Sequence, residues 1–295
     1  MSNFAIQAIV SNALAKWFPS DAFMGEEDAG DLRTDSALRA LTQRLSGLPE
    51  GEMLDAIDRG VQPIPAGQRY WVLDPIDGTK GFLTGQQYII GLALIDGESG
   101  LPLVGIMGNP RLHPEPCIMV SARGAGMHMF YQGESGAPAT PAQQELRLNE
   151  WAERDYGSQP TEAAQPVAAV DYPPWLLSRP MSEGSPLPFG PLAPPGDRQA
   201  GALVKYWAVA AGEYAGFIQY ATQLKTWDHA SGVLCVIESG GCCTDAAGGP
   251  VAFAAREVPV NGGVICSASE APDAIHERML EAVRSARAPP AAPSF

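Results

Sequence analysis

Apolar positions along the chain fall into short runs of two periods. Ile6, Ile9, Val10, Ala13, Leu14 and Trp17 recur at helical spacing behind Ser2 and Asn3, so an amphipathic helix is expected at the start, stopped by Pro19 and Asp21. Ala22-Phe23-Met24 reads as a short strand that runs into Gly25-Glu26-Glu27-Asp28. The helical period returns from Thr34 to about Leu54 through Leu38, Leu41 and Leu45, and residues 60–69 form a connector. Trp71-Val72-Leu73 is a buried strand ending at Asp74. Residues 88–95 form a strong strand, Asp96-Gly97 a turn, and 103–107 its hairpin partner. Two further strands, near 117–120 and 126–130, complete an antiparallel α+β half.

Prolines, alanines, serines and glycines dominate from about 131 to 201, where Pro173-Pro174 and Pro194-Pro195 interrupt regular structure. Beyond it, a helix is expected over 203–215, a short strand over 217–220, and a helix from Thr226 to about Ser239 closed by Gly240-Gly241. Strands near 242–244 and 264–267 and a helix over 271–287 follow, an alternation typical of α/β structure. The expected organisation is an N-terminal α+β domain with acidic loops (1–133), a linker and loop-rich region (134–201), a C-terminal α/β part (202–288) and a tail (289–295).

A chain of 295 residues, 45% apolar and 18% charged, has enough material for a large core. Its formal charge of −14 opposes binding to nucleic-acid polymers and anionic membranes, so a phosphorylated substrate must be received by a local cationic patch such as metal ions. No apolar run has the length of a membrane span, and the first residues lack the basic and apolar regions of a secretory signal. Five cysteines without C-x-x-C spacing argue against a disulfide framework and against zinc, and so for a reducing compartment. The expectation is a soluble cytoplasmic chain, or an organellar one if a transit peptide lies upstream, as a monomer or homodimer.

Asp74-Pro75-Ile76-Asp77-Gly78-Thr79 changes the picture most. Two hard oxygen ligands leave the end of a strand together, Pro75 stiffens their spacing, and Gly78 and Thr79 can turn backbone N–H groups toward an anion. A plain polar turn uses the same residue types. Glu26 and Glu27 stand after an earlier strand, and Asp228 stands in the first turn of a helix, where it can equally serve the helix dipole. Together Glu26, Asp74, Asp77, Asp228 and the Ile76 carbonyl suit a shared magnesium site in which Asp74 bridges two ions. His229 faces away from Asp228 and is expected to make a local hydrogen bond. Lys80 is a phosphate contact or a surface charge; Lys205, on an otherwise apolar helix, is expected to reach substrate phosphate.

Gly25-Glu26-Glu27, Asp74-Pro75-Ile76-Asp77-Gly78-Thr79-Lys80-Gly81-Phe82 and Trp227-Asp228-His229-Ala230-Ser231-Gly232 together resemble the inositol monophosphatase superfamily, in particular its 3'(2'),5'-bisphosphate nucleotidase branch. The resemblance implies a layered α/β/α/β/α sandwich and two or three Mg2+ ions on Glu26, Asp74, Asp77, Asp228 and the Ile76 carbonyl, with inhibition by lithium. It implies in-line attack on the 3'-phosphate of 3'-phosphoadenosine 5'-phosphate, or a sulfated relative, by a metal-activated water oriented by Thr79, with phosphate oxygens on the Gly78 and Thr79 amides. Two positions depart from the family pattern. Asn3 stands where the family carries an aspartate that helps activate the water, and Gln219 stands where the branch places a basic residue. The alternatives are an inositol monophosphatase-like phosphomonoesterase and a catalytically weakened homologue that acts as a binding protein.

Overall fold

A computed structural model describes residues 2–83, 88–112, 116–131, 176–178, 202–212, 214–219, 221, 223–269 and 272–287. Most of the 134–201 region and the 289–295 tail therefore lie outside the described residues.

Helix α1 (Ser2–Trp17) leads into strand β1 (Ala22–Gly25). Three helices follow: α2 (Gly30–Thr34), α3 (Ser36–Ser46) and α4 (Glu50–Asp58). The single helix expected over 34–54 is thus two, because α3 closes at Gly47 and Pro49 opens α4. Strand β2 (Tyr70–Asp77), the short helix α5 (Thr79–Leu83) and strands β3 (Ile89–Ile95), β4 (Pro102–Asn109), β5 (Cys117–Ala122) and β6 (Gly126–Tyr131) complete the first half. These strands form one six-stranded sheet in sequence order, β1 parallel to β2 and every later neighbour antiparallel.

The second half contains β7 (Leu176–Ser178), helix α6 (Ala202–Ala210), β8 (Tyr214–Gln219), β9 (Gln223–Lys225), helix α7 (Ala230–Glu238), β10 (Cys242–Asp245), β11 (Glu257–Pro259), β12 (Val264–Ser267) and helix α8 (Pro272–Arg287). β7 lies inside the region expected to be loop-rich, where pairing with β8 supplies the order that local composition did not announce. Strands β10, β12, β8 and β7 form a second sheet in that order, and β9 pairs with β11.

Helices α6 and α7 lie between the two sheets, α1 covers the outer side of the large sheet with α3 and α4 packed on it, and α8 covers the outer side of the small one. This is the expected α/β/α/β/α sandwich. Its central core joins Val72, Ile89, Ala93 and Met107 of the large sheet to Tyr206, Val233 and Phe217. The first helix buries only part of the expected stripe: Val10 and Leu14 pack against Trp71 and Leu73, but the most buried positions lie beside it. Phe4, Ala5 and Ala8 are buried whereas Ile9 is 45% and Trp17 71% exposed, because small residues let α1 approach α4 and the sheet. Among the described residues, no helix is long and apolar enough to cross a membrane.

The cysteine expectation needs correction. Antiparallel pairing of β10 with β12 sets Cys243 directly opposite Cys266, and the two are disulfide-bonded with Cα atoms 4.4 Å apart. Sequence spacing could not show a pair made by strand register, so cysteine usage no longer argues for a reducing compartment.

Gly232 lies within α7, where glycine is a poor helix former, but a β-carbon there would enter the ring of Tyr206 on α6. Close approach of the two central helices explains the glycine. Gly232→Ala should therefore lower stability by about 1–3 kcal/mol despite alanine's better helix propensity; a urea denaturation midpoint at or above that of the parent protein would refute the packing argument.

Candidate metal centre

Side chains alternate along β2: Tyr70 and Val72 enter the central core, and Trp71 and Leu73 face α1. Asp74 continues the inward set. On a regular strand, Asp77, three residues on, would point the opposite way. Instead the register slips between them, with Asp74 opposite Gly91 and Asp77 opposite Ile89, so three steps on β2 match two on β3. The irregularity returns Asp77 to the inner side. Pro75, which has no N–H to offer the ladder, occupies the slip. Gly78 then takes a left-handed conformation (φ 85°) that ends the strand.

Carboxylate oxygens of Asp74, Asp77 and Asp228 all lie within 4.8 Å of one another. Asp74 is 2% and Asp77 7% exposed. The Ile76 amide donates to Asp74 Oδ1 at 3.0 Å, and the Ala202 and Leu203 amides at the start of α6 donate to Asp77 Oδ1 and Oδ2 at 2.8 and 2.7 Å. Each Asp77 oxygen thereby accepts one bond and keeps a lone pair. Asp228 ends a 3-10 turn (Thr226–Asp228) just before α7, instead of lying in the first α-helical turn.

Glu26 follows β1, and because β1 runs parallel to β2 with Gly25 opposite Leu73, the ends bearing Glu26 and Asp74 emerge side by side. Glu26 stands outside the group of three within 4.8 Å, yet its charge acts on Asp74 and feels Asp77 and Asp228. Burial, then Glu27 and Asp228, pushes the Glu26 carboxyl up to about 7. Burial and Asp228 raise Asp77 to about 7, against the pull of the Leu203 and Ala202 amides and of Lys205. Asp74 is raised by burial and then by Asp77, Glu26 and Asp228. Three crowded carboxylates with oxygen donors only, two of them buried, suit a hard divalent cation: it would offset the repulsion, and no thiolate competes in the donor set.

Thr79 is exposed, and its hydroxyl donates to the Ile76 carbonyl at 3.4 Å. The side chain of Lys80 lies outside the described residues. Lys205 is buried and donates to Gln219 Oε1 at 2.6 Å, so two separately named positions meet. His229 Nδ1 pairs with the Tyr206 hydroxyl at 2.8 Å, a bond across to helix α6 where a local one was expected, while burial and then the Lys205 charge lower its pKa to about 3. Asn3 Nδ2 donates to Glu27 Oε1 at 3.0 Å.

Two residues here escaped the sequence reading. Fully buried Gln7 donates to the carbonyls of Glu27 and Ile57 at 2.7 and 2.9 Å and accepts from the Glu27 amide at 3.0 Å, fixing the loop that carries Glu26. A polar residue one turn after Asn3 on an apolar helix was the available signal. Arg256 donates to the carbonyls of Gly25 and Gly60, and nothing in its local sequence marks it.

Residues 2–288 match the model of the inositol monophosphatase family. The chain is 31% identical over 316 residues to a 3'(2'),5'-bisphosphate nucleotidase of Emericella nidulans, covering 96% of this chain and 87% of that protein. It is 31% identical over 312 residues to one of Schizosaccharomyces pombe, covering 96% and 82%. The crystal structure of inositol-monophosphate-bound SaIMPase-II aligns with a TM-score of 0.51 at 15% identity, over 96% of this chain and 85% of that one, a likeness of fold alone. The family match runs unbroken from the helix bearing Asn3, through the acidic end of β2, to the turn bearing Asp228 and beyond, and on that ground the chain belongs to the inositol monophosphatase family.

Proposed function

We propose that the protein is a magnesium-dependent phosphatase that removes the 3'-phosphate of 3'-phosphoadenosine 5'-phosphate. The observation that carries this reading is the meeting of Asp74, Asp77 and Asp228 at the end of β2, in a chain 31% identical to two bisphosphate nucleotidases. Glu26, Asp74, Asp77, Asp228 and the Ile76 carbonyl are the residues that would hold the metal. Magnesium there would supply Lewis acidity, lowering the pKa of the attacking water and neutralising charge on the phosphoryl group.

The chain's own groups do the rest. Thr79, by donating to the Ile76 carbonyl, turns its oxygen lone pairs outward to accept a hydrogen bond from the attacking water. The Gly78 and Thr79 amides would receive phosphate oxygens. Asp77 is tied to the first amides of α6, which fixes its distance from Lys205 on the same helix. Lys205 would meet the substrate's other phosphate, with Gln219 holding its ammonium.

Phosphate release from 3'-phosphoadenosine 5'-phosphate should exceed release from inositol 1-phosphate and fructose 1,6-bisphosphate, require Mg2+ and fall with added Li+. Preference for inositol 1-phosphate would replace this reading by the inositol phosphatase one.

The raised carboxyls set a pH signature. The ordinary values are 4.5 for Glu26 and 3.8 for Asp77, and the folded values are about 7 for both. Between roughly pH 4 and 7 the folded, metal-free chain keeps protons that the unfolded chain releases, so stability falls as pH rises through that window. Added Mg2+ should raise the melting temperature strongly at pH 8 and little at pH 5. Asp74→Asn should melt near the parent without metal, yet lose both the Mg2+-dependent rise and turnover; retained turnover would sink the site assignment.

A second reading, a weakened homologue, is favoured by the neutral amide of Asn3 against Glu27. On that reading Asn3→Asp should raise kcat by about 10²–10⁴-fold, the usual size of a general-base contribution. It should also lower the metal-free melting temperature, since two carboxylates then face each other. An unchanged kcat would dismiss it.

A further inference from the structure

Arg256 lies 231 residues from Gly25 and 196 from Gly60 in sequence, yet it bonds to both. Its Nη2 donates to the Gly25 carbonyl at 2.8 Å and its Nη1 to the Gly60 carbonyl at 2.7 Å. Its guanidinium carbon sits 4.8 Å from the ring centroid of Trp227. Gly25 immediately precedes Glu26, and Trp227 immediately precedes Asp228.

The backbone around Arg256 is tied to the same turn. The Thr226 amide donates to the Arg256 carbonyl at 2.9 Å, and the Thr226 hydroxyl donates to the Ala255 carbonyl. The β9·β11 ladder, with Glu257 opposite Lys225 and Val258 opposite Leu224, braces both segments. Only a planar guanidinium can donate to two carbonyls along its edge while its face lies on an indole; an ammonium is a point charge without that fork.

We propose that Arg256 is a positioning residue for the metal site: it clamps the end of β1 to the turn carrying Asp228 and so sets the separation of Glu26 from Asp228. The proposal rests on the metal site named above. Magnesium tolerates little departure from octahedral ligation, and carboxylates on two unclamped loops would have to be ordered by the ion itself. Gln7 holds the same loop through the amide and carbonyl of Glu27, so the backbone of residues 25–27 is fixed at both ends.

The test uses the full chain without substrate, with Mn2+ as probe and free Mn2+ read by electron paramagnetic resonance. Arg256→Ala should weaken Mn2+ binding by about 10–100-fold, the usual cost of losing a group that orients metal ligands. Arg256→Lys should fall in between, and KM for 3'-phosphoadenosine 5'-phosphate at saturating Mg2+ should stay near the parent value while the half-saturating Mg2+ concentration rises. If Arg256→Ala does not fold, Arg256→Lys decides. Parent-like Mn2+ affinity in a folded variant would overturn the role of Arg256 alone. Absence of Mn2+ binding by the parent protein would overturn the metal site and this proposal with it, whereas Mn2+ binding without hydrolysis of the bisphosphate would overturn only the substrate reading.

Discussion

Asp74 and Asp77 leave β2 on one side, nearly out of reach of water, and meet Asp228 there with Glu26 close by. Like charges held this near in a poorly solvated setting repel one another, and each is also deprived of hydration. Neither cost favours folding, so the surrounding structure has to hold the acids against it. Backbone amides of Ile76, Ala202 and Leu203 supply part of the compensation, and the Lys205 charge acts on Asp77. What they leave is visible as raised carboxyl pKa values at Glu26, Asp74 and Asp77. A site that retains protons when empty is a site prepared to exchange them for a cation.

The layered fold follows from the need to deliver these acids from distant segments. Parallel pairing of β1 with β2 brings two strand ends together, and the central helices carry the third contribution across from the second half. Gly232 matters here for packing: by letting Tyr206 come against α7, it seats the helix that begins just after Asp228. The same tyrosine pairs with His229, so the packing of the two helices and the placement of the turn are one arrangement.

Where local pattern decides the structure, the sequence was readable. β2 through β6 announce themselves by apolar runs and turn residues, and the acidic motif after Leu73 names its chemistry by residue type. That Asp74 and Asp77 leave together follows from the residue types, but the means did not: an Asp-x-x-Asp spacing on a regular strand says opposite faces, and only the slip against β3 reverses it. The large apolar residues of α1 mark only part of its buried face: Val10 and Leu14 pack inward, but Ala5 and Ala8 are the more deeply buried because close approach selects small residues. Pairing of Cys243 with Cys266 and the reach of Arg256 to Gly25 are products of tertiary register, and no local signal accompanies either.

Asn3 is better understood from the same electrostatics. A carboxylate at that position would add one more negative charge beside Glu27, whose own charge already raises Glu26. The amide instead donates to Glu27 and leaves the loop with one repulsion fewer. The neutral side chain thereby favours the stability of the empty site. An acid at position 3 would crowd a cluster already held together against its own charge, so neutrality there lowers the repulsion that the amides of Ile76, Ala202 and Leu203 must offset.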